Sequence, residues 1–263
     1  MRIPPSLLMP DDNERRAGQP SSTPRRRCYN TRNTGGQQAF TIVQANVQHS
    51  GPTHDTLLAI AHSAQADIIL VQEPWTVTRR QRQMHKGHPA YKCFAPRGDW
   101  GEDPPKVMTY VSKKWESYTY ALVDLPTTNI ICTWVYGLTI YNVYRPPRYP
   151  LDDPVISLLE EQRFPEDTLV AGDFNATHWS WAPGVRLSHH NPQLGDRIAE
   201  MATEHGLVQH IGGVPTHEAG NTLDLAMSNG KASNRTTCRS GRRRSGLKWA
   251  RLGIQVGSLP RIC

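Results

Sequence analysis

Five apolar runs of this chain end in, or enclose, a residue that could bind a hard cation or a phosphate. In "TLVAGDFN" the approach Thr168-Leu169-Val170-Ala171 leads through Gly172 to Asp173 and Asn175, which flank Phe174. Side chains two apart on a strand point the same way, so the carboxylate and the amide share a face. "FTIVQAN" carries Asn46, "ADIILVQE" ends in Glu73, "YNVY" ends in Tyr144, and Asp224 stands between Leu223 and Leu225. Each alone has an ordinary explanation, in a turn cap, a solvated acid or a packed ring. Their recurrence at strand ends is more informative, because ligands in α/β folds bind where strand ends converge. Carboxylates, amides and a phenol, without clustered His or Cys, suit Mg²⁺ or Mn²⁺ better than zinc. Phosphodiester hydrolysis is a reaction such a set supports: the metal neutralises charge on phosphoryl oxygens, and a second carboxylate orients or deprotonates water.

The elements that must position these groups read as strand, helix, strand at the start: "FTIVQANVQ", "HDTLLAIAHSAQ" and "ADIILVQE" predict a parallel crossover unit. Further strands are expected in "PKVMTYVS", "NIICTWVYGLTIYNVY", "DTLVAGDFN" and "NTLDLAMSN", with helices over "PVISLLEEQ" and "QLGDRIAEMATEHG". Long β-rich stretches with few helices imply α/β layers around a mixed sheet.

The chain has 263 residues with 37% apolar content, enough for one sizeable domain. No run of about 18 apolar residues predicts a membrane span. Five cysteines, odd in number and without a C-x-x-C pair, argue against a disulfide framework and for a reducing intracellular compartment. The net charge of +7 is unevenly placed: residues 1–39 carry +4 and residues 231–263 carry +9, leaving −6 between them. Residues 1–39, rich in Pro, Ser, Gly and Arg, are expected to be disordered, and composition breaks again near residue 230. The histidines His49, His54 and His62 are expected at the surface, and His178 in a loop with Trp179 and Trp181.

The motifs "IVQANVQHS", "ADIILVQEPW", "YNVYRPP", "AGDFNATHWSW" and "GGVPTHEAGNTLDLAMSN", in this order, resemble those of the endonuclease/exonuclease/phosphatase superfamily, and most of all the endonuclease domains of non-LTR retrotransposons. The resemblance spans residues 40–230. It implies a four-layer α/β sandwich of two facing mixed β-sheets flanked by helices, and a divalent-metal-dependent nick in DNA that primes an associated reverse transcriptase. On that resemblance Glu73 corresponds to the principal metal ligand (Mg²⁺ or Mn²⁺), with Asn46 beside metal and substrate. Tyr144 corresponds to the phosphate-contacting phenol, Asp173 to the acid that positions the nucleophilic water, and Asn175 to its amide partner. Thr216 corresponds to a threonine near the substrate strand, and Asp224 to the acid that orients a histidine.

That histidine belongs to a terminal Ser-Asp-His motif, and no His follows His217 in this chain. Residues 231–263, which contain no acid, are therefore expected to be a basic tail outside the domain, and the sandwich to lack its closing strands. The corresponding expectation is a truncated or frame-shifted copy of an element, acting on DNA in the nucleus if functional. Loss of one transition-state donor typically costs about 10²–10³ in rate. The alternative is a non-catalytic remnant, or a weak nucleic-acid binder acting through its Arg-rich ends.

Overall fold

A computed structural model describes residues 38–80, 82–98, 100–123, 125–147, 153–182, 192–211, 223–233, 236–242 and 247–256. The expected disordered segment lies outside this set up to residue 37. The first strand starts at Gln38, two residues before Phe40.

Strand β1 (Gln38–Asn46) leads into helix α1 (Gly51–Ser63) and strand β2 (Ile68–Gln72). Ser50 caps the helix, its Oγ accepting from Thr53 N at 3.3 Å, and proline occupies the first turn where its missing N–H is not needed. β1 and β2 pair in parallel, as the crossover reading requires. There follow β3 (Thr76–Arg79), β4 (Arg82–His85), β5 (Tyr91–Phe94), β6 (Val107–Ser112), a short 3₁₀ helix (Lys113–Tyr118) and β7 (Thr119–Val123). "NIICTWVYGLTIYNVY" is a hairpin of β8 (Ile130–Val135) and β9 (Leu138–Tyr144), turned at Tyr136 and Gly137 with φ of 45° and 91°. Two successive positive φ values match the twist of a two-residue hairpin turn. The remainder is α2 (Pro154–Glu160), β10 (Thr168–Asp173), α3 (Pro192–Glu204), β11 (Val208–Gln209), β12 (Asp224–Ser228), α4 (Gly230–Ser233), β13 (Thr237–Arg242) and β14 (Lys248–Val256).

Two six-stranded sheets result, ordered β13-β14-β1-β2-β6-β5 and β11-β12-β10-β9-β8-β7. Their inner faces meet through Phe40, Ile42, Leu70, Leu138, Ile140, Leu169 and Leu252. The outer face of the first sheet is covered by Leu57, Leu58 and Ala61 of α1. On the second, Val155, Ile156 and Leu159 of α2 and Ile198 and Met201 of α3 do the same. Helix, sheet, sheet, helix is the four-layer sandwich the resemblance implied.

The expectation of missing closing strands is corrected. β14 pairs antiparallel with β1 from Gln38↔Val256 to Gln44↔Ala250, and β13 pairs with β14. The polar composition hid a period of two: Ala250, Leu252, Ile254 and Val256 face the other sheet, while Arg251 and Gln255 alternate with them and are exposed. β1 is thereby hydrogen-bonded on both edges, so the edge liability passes to β13.

Candidate active site

The inward positions of four strands change character along their length. On β1 the series is Phe40, Ile42, Gln44, Asn46; on β2 it is Ile68, Leu70, Gln72, followed by Glu73. On β9 it is Leu138, Ile140, Asn142, Tyr144, and on β10 it is Leu169, Ala171, Asp173. Apolar layers thus give way to an amide layer and then to acids at one end of the sandwich. In the amide layer Gln72 Nε2 donates to Asn142 Oδ1 at 2.7 Å across the sheets, and Asn142 Nδ2 donates to Met108 O at 2.9 Å.

In the last layer Asn46 Nδ2 donates to Glu73 Oε1 at 3.0 Å and to Asp173 Oδ2 at 2.9 Å, so one amide joins acids from both sheets. Its Oδ1 accepts from Gln48 N at 2.8 Å. Asp173 lies opposite Asp224 on one side and Tyr144 on the other in strand register. Burial pushes the Asp173 carboxyl well above the usual carboxylate range, and the charges of Asp224 and Glu73 add to the effect. Hydrogen bonds from Asn46 Nδ2 and from Asn175 N, at 3.1 Å, oppose the rise. Tyr144 is nearly buried against Val107 and Ile131.

The backbone is shaped to this end. Glu73 and Asn175 both adopt φ of 46°, which non-glycine residues seldom accept and which clusters at functional positions. Gly172 has φ of 154°, and a Cβ there would stand 1.8 Å from Val143 O, so only glycine lets β10 close on β9 beside Asp173.

Of the residues singled out in the sequence, Asn46, Glu73, Tyr144, Asp173, Asn175 and Asp224 stand at this one end, while Thr216 lies outside the described residues. The Asn175 side chain donates to Arg145 O at 2.8 Å. Two participants escaped the sequence reading. Arg145 is buried, pairs with Asp153 at the α2 N-cap, and donates through Nη1 to Asn175 O at 3.3 Å, fixing the loop that carries the amide. "YRPP" was the available signal, since an Arg following a buried strand needs a carboxylate partner. His49, which is exposed as expected, places Nε2 3.5 Å from Glu73 Oε2.

His54 corrects its surface assignment: it is fully buried in α1. Nδ1 accepts from Trp75 N at 3.3 Å, Nε2 meets Tyr110 Oη at 3.1 Å, and that hydroxyl donates to Lys86 O at 2.7 Å. The chain of bonds requires the neutral ring with its proton on Nε2, and burial lowers its pKa to about 4. His178 holds the expected loop, its ring tilted against those of Trp179 and Trp181, with Nε2 3.3 Å from Asp196 Oδ1.

A model of the endonuclease/exonuclease/phosphatase family matches residues 43–245. The chain belongs to this family. Among solved structures, this family member is similar to the endonuclease domain of TRAS1, a telomere-specific non-LTR retrotransposon, at 22% identity and a TM-score of 0.65, covering 82% of this chain and 98% of that one. A 3′-5′ exonuclease of Neisseria meningitidis is 15% identical with a TM-score of 0.58, covering 83% and 100%. An AP endonuclease of Archaeoglobus fulgidus is 13% identical with a TM-score of 0.58, covering 84% and 100%. No curated protein sequence matches the chain. No helix among the described residues is long and apolar enough to cross a membrane.

Proposed function

We propose that this chain is a divalent-metal-dependent phosphodiester hydrolase that nicks DNA, of the kind encoded by non-LTR retrotransposons. The observation that carries the reading is the Asn46 amide bridging Glu73 and Asp173 at the polar end of the sandwich, with Asp224 opposite Asp173. Among the described residues no three acidic, His or Cys side chains form a ready metal cage. The donor set still fits Mg²⁺ or Mn²⁺, which bind through one or two carboxylates and complete their shell with phosphate oxygens and water. Glu73 would hold the ion with Asn46 beside it, and the ion would neutralise charge on the phosphoryl oxygens. Asp173, fixed by the hydrogen bonds to both its oxygens, orients the attacking water; Tyr144 and Asn175 serve the phosphate, with Thr216 near the substrate strand. On this reading the partners are DNA and the reverse transcriptase of the parent element, and the place of action is the nucleus.

The test is supercoiled-plasmid nicking with Mg²⁺, with EDTA, and with Glu73→Gln and Asp173→Asn variants. Nicking that needs the metal and falls by about 10³ or more in each variant is expected; nicking that survives both substitutions removes the site. The nine Lys and Arg of residues 231–263, with no acid among them, favour one second reading, a non-catalytic DNA binder acting through its Arg-rich ends. Salt-sensitive DNA retention without nicking in any divalent metal would select it.

A further inference from the structure

β3 and β4 form a two-stranded ribbon that joins neither main sheet. Its register sets Thr76 against His85, Val77 against Met84, Thr78 against Gln83, and Arg79 against Arg82. Alternation divides it into two faces. Thr76, Thr78, Gln83 and His85 share one face, where Gln83 Nε2 donates to Gly98 O at 3.1 Å and the His85 ring lies 6.1 Å from that of Trp100, while Thr78, Gln83 and His85 remain exposed. Val77, Arg79, Arg82 and Met84 form the other, with both arginines exposed and Met84 41% exposed. Arg80 stands exposed at the turn.

The arginine-bearing face works against its own stability. Like charges directly opposite on paired strands repel, and isolated two-stranded ribbons are marginal. "TVTRRQRQMH" holds no acid, and no carboxylate pairs with Arg79, Arg80 or Arg82 among the described residues. The root is nevertheless held firmly. His54 takes the Trp75 N–H on the way in and Tyr110 donates to Lys86 O on the way out. Lys86 Nζ adds an ion pair to Asp55 at 2.7 Å and lies 4.8 Å from the centre of the Trp75 ring. Glu73 is two residues before Trp75, so a fixed root places the arginines at a fixed offset from the acidic layer.

We propose that the β3–β4 ribbon is a phosphate-binding arm that grips the backbone of duplex DNA beside the scissile bond. The partner rests on the nuclease reading; the arm itself rests on charge complementarity and the anchored root. Four residues per strand reach about 14 Å, roughly four base pairs of duplex at about 3.4 Å each.

The test uses the full chain and the Arg79→Ser/Arg80→Ser/Arg82→Ser triple variant, binding a labelled duplex in EDTA across a salt series. Each phosphate contact contributes about 0.9 to the slope of log affinity against log salt, so the variant is expected to bind more weakly with a slope shallower by about 2–3. Without DNA its thermal midpoint should equal or exceed that of the parent chain, because a repulsive pair has gone. On a duplex trimmed to about two base pairs on the side the ribbon would occupy, parent and variant should bind alike. Unchanged affinity and slope would overturn the arm, as would a difference that persists when either side is trimmed. A chain that never nicks but shows the arm-dependent slope removes the nuclease reading alone. Metal-dependent nicking with an arm-independent slope removes the arm alone.

Discussion

The two ends of the sandwich are built by the same strands, and they differ in what stands on the inward face and in the positive-φ backbone at Glu73 and Asn175 that the polar end adds. At one end Phe40, Ile42, Leu138, Ile140 and Leu169 close a dry core. At the other, Asn46, Glu73, Asp173 and Asp224 crowd acids that repel one another when stripped of water. Period-two alternation accepts either choice, so the site costs stability that the far end supplies. Gln44 and Gln72 mark the transition. Both Gln44 amide atoms and Gln72 Oε1 are buried without a protein partner, an expense an apolar pair would have spared.

The harshest way to break the comparison is to delete Lys248–Cys263. That removes β14 from β1 and opens the apolar end to water, so the protein should lose its cooperative thermal transition and precipitate. A soluble deletion that melts cooperatively would show the strand to be dispensable.

Opposite signs are expected from one substitution at each end. Leu138→Ala, at a fully buried position, should cost about 2–5 kcal/mol in denaturant titrations. Asp173→Asn, measured in EDTA, should raise the midpoint, because it removes a buried carboxyl set opposite Asp224, and on the proposed function it should abolish nicking. A destabilised Asp173→Asn protein would mean that the acidic layer is not under repulsion.

The mildest test concerns the clamp under the arm. His54 has its folded pKa lowered to about 4, against 6.5 for the free ring. The unfolded chain therefore takes up the proton first as pH falls. Stability contributed here is complete above about 6.5 and declines through the window down to about 4, by up to about 3 kcal/mol. Denaturant titrations at pH 7, 5.5 and 4.5 should show this decline in the parent chain and a flatter profile in His54→Gln.

Legibility followed the strength of the local signal. β1, α1, β2, β9, β10 and α3 were readable because long apolar runs with a clear period leave few alternatives. The ribbon β3–β4 was not, since four exposed residues per strand bury too little to leave a pattern. β13 and β14 were lost for another reason: averaging composition over both faces of a strand conceals an apolar face behind arginines. His54 was misjudged because its partners, Trp75 and Tyr110, come from elsewhere in the chain.

The types and order of the polar groups at the strand ends, and the reaction they suit, were determined by the sequence alone, because residue chemistry and period-two alternation are local properties. Tertiary structure decided which of them meet: that one amide of β1 joins an acid of its own sheet to an acid of the facing sheet, and that a basic strand from the far end of the chain completes the first sheet. Those are matters of pairing between distant segments, and no local property of a chain specifies its partner.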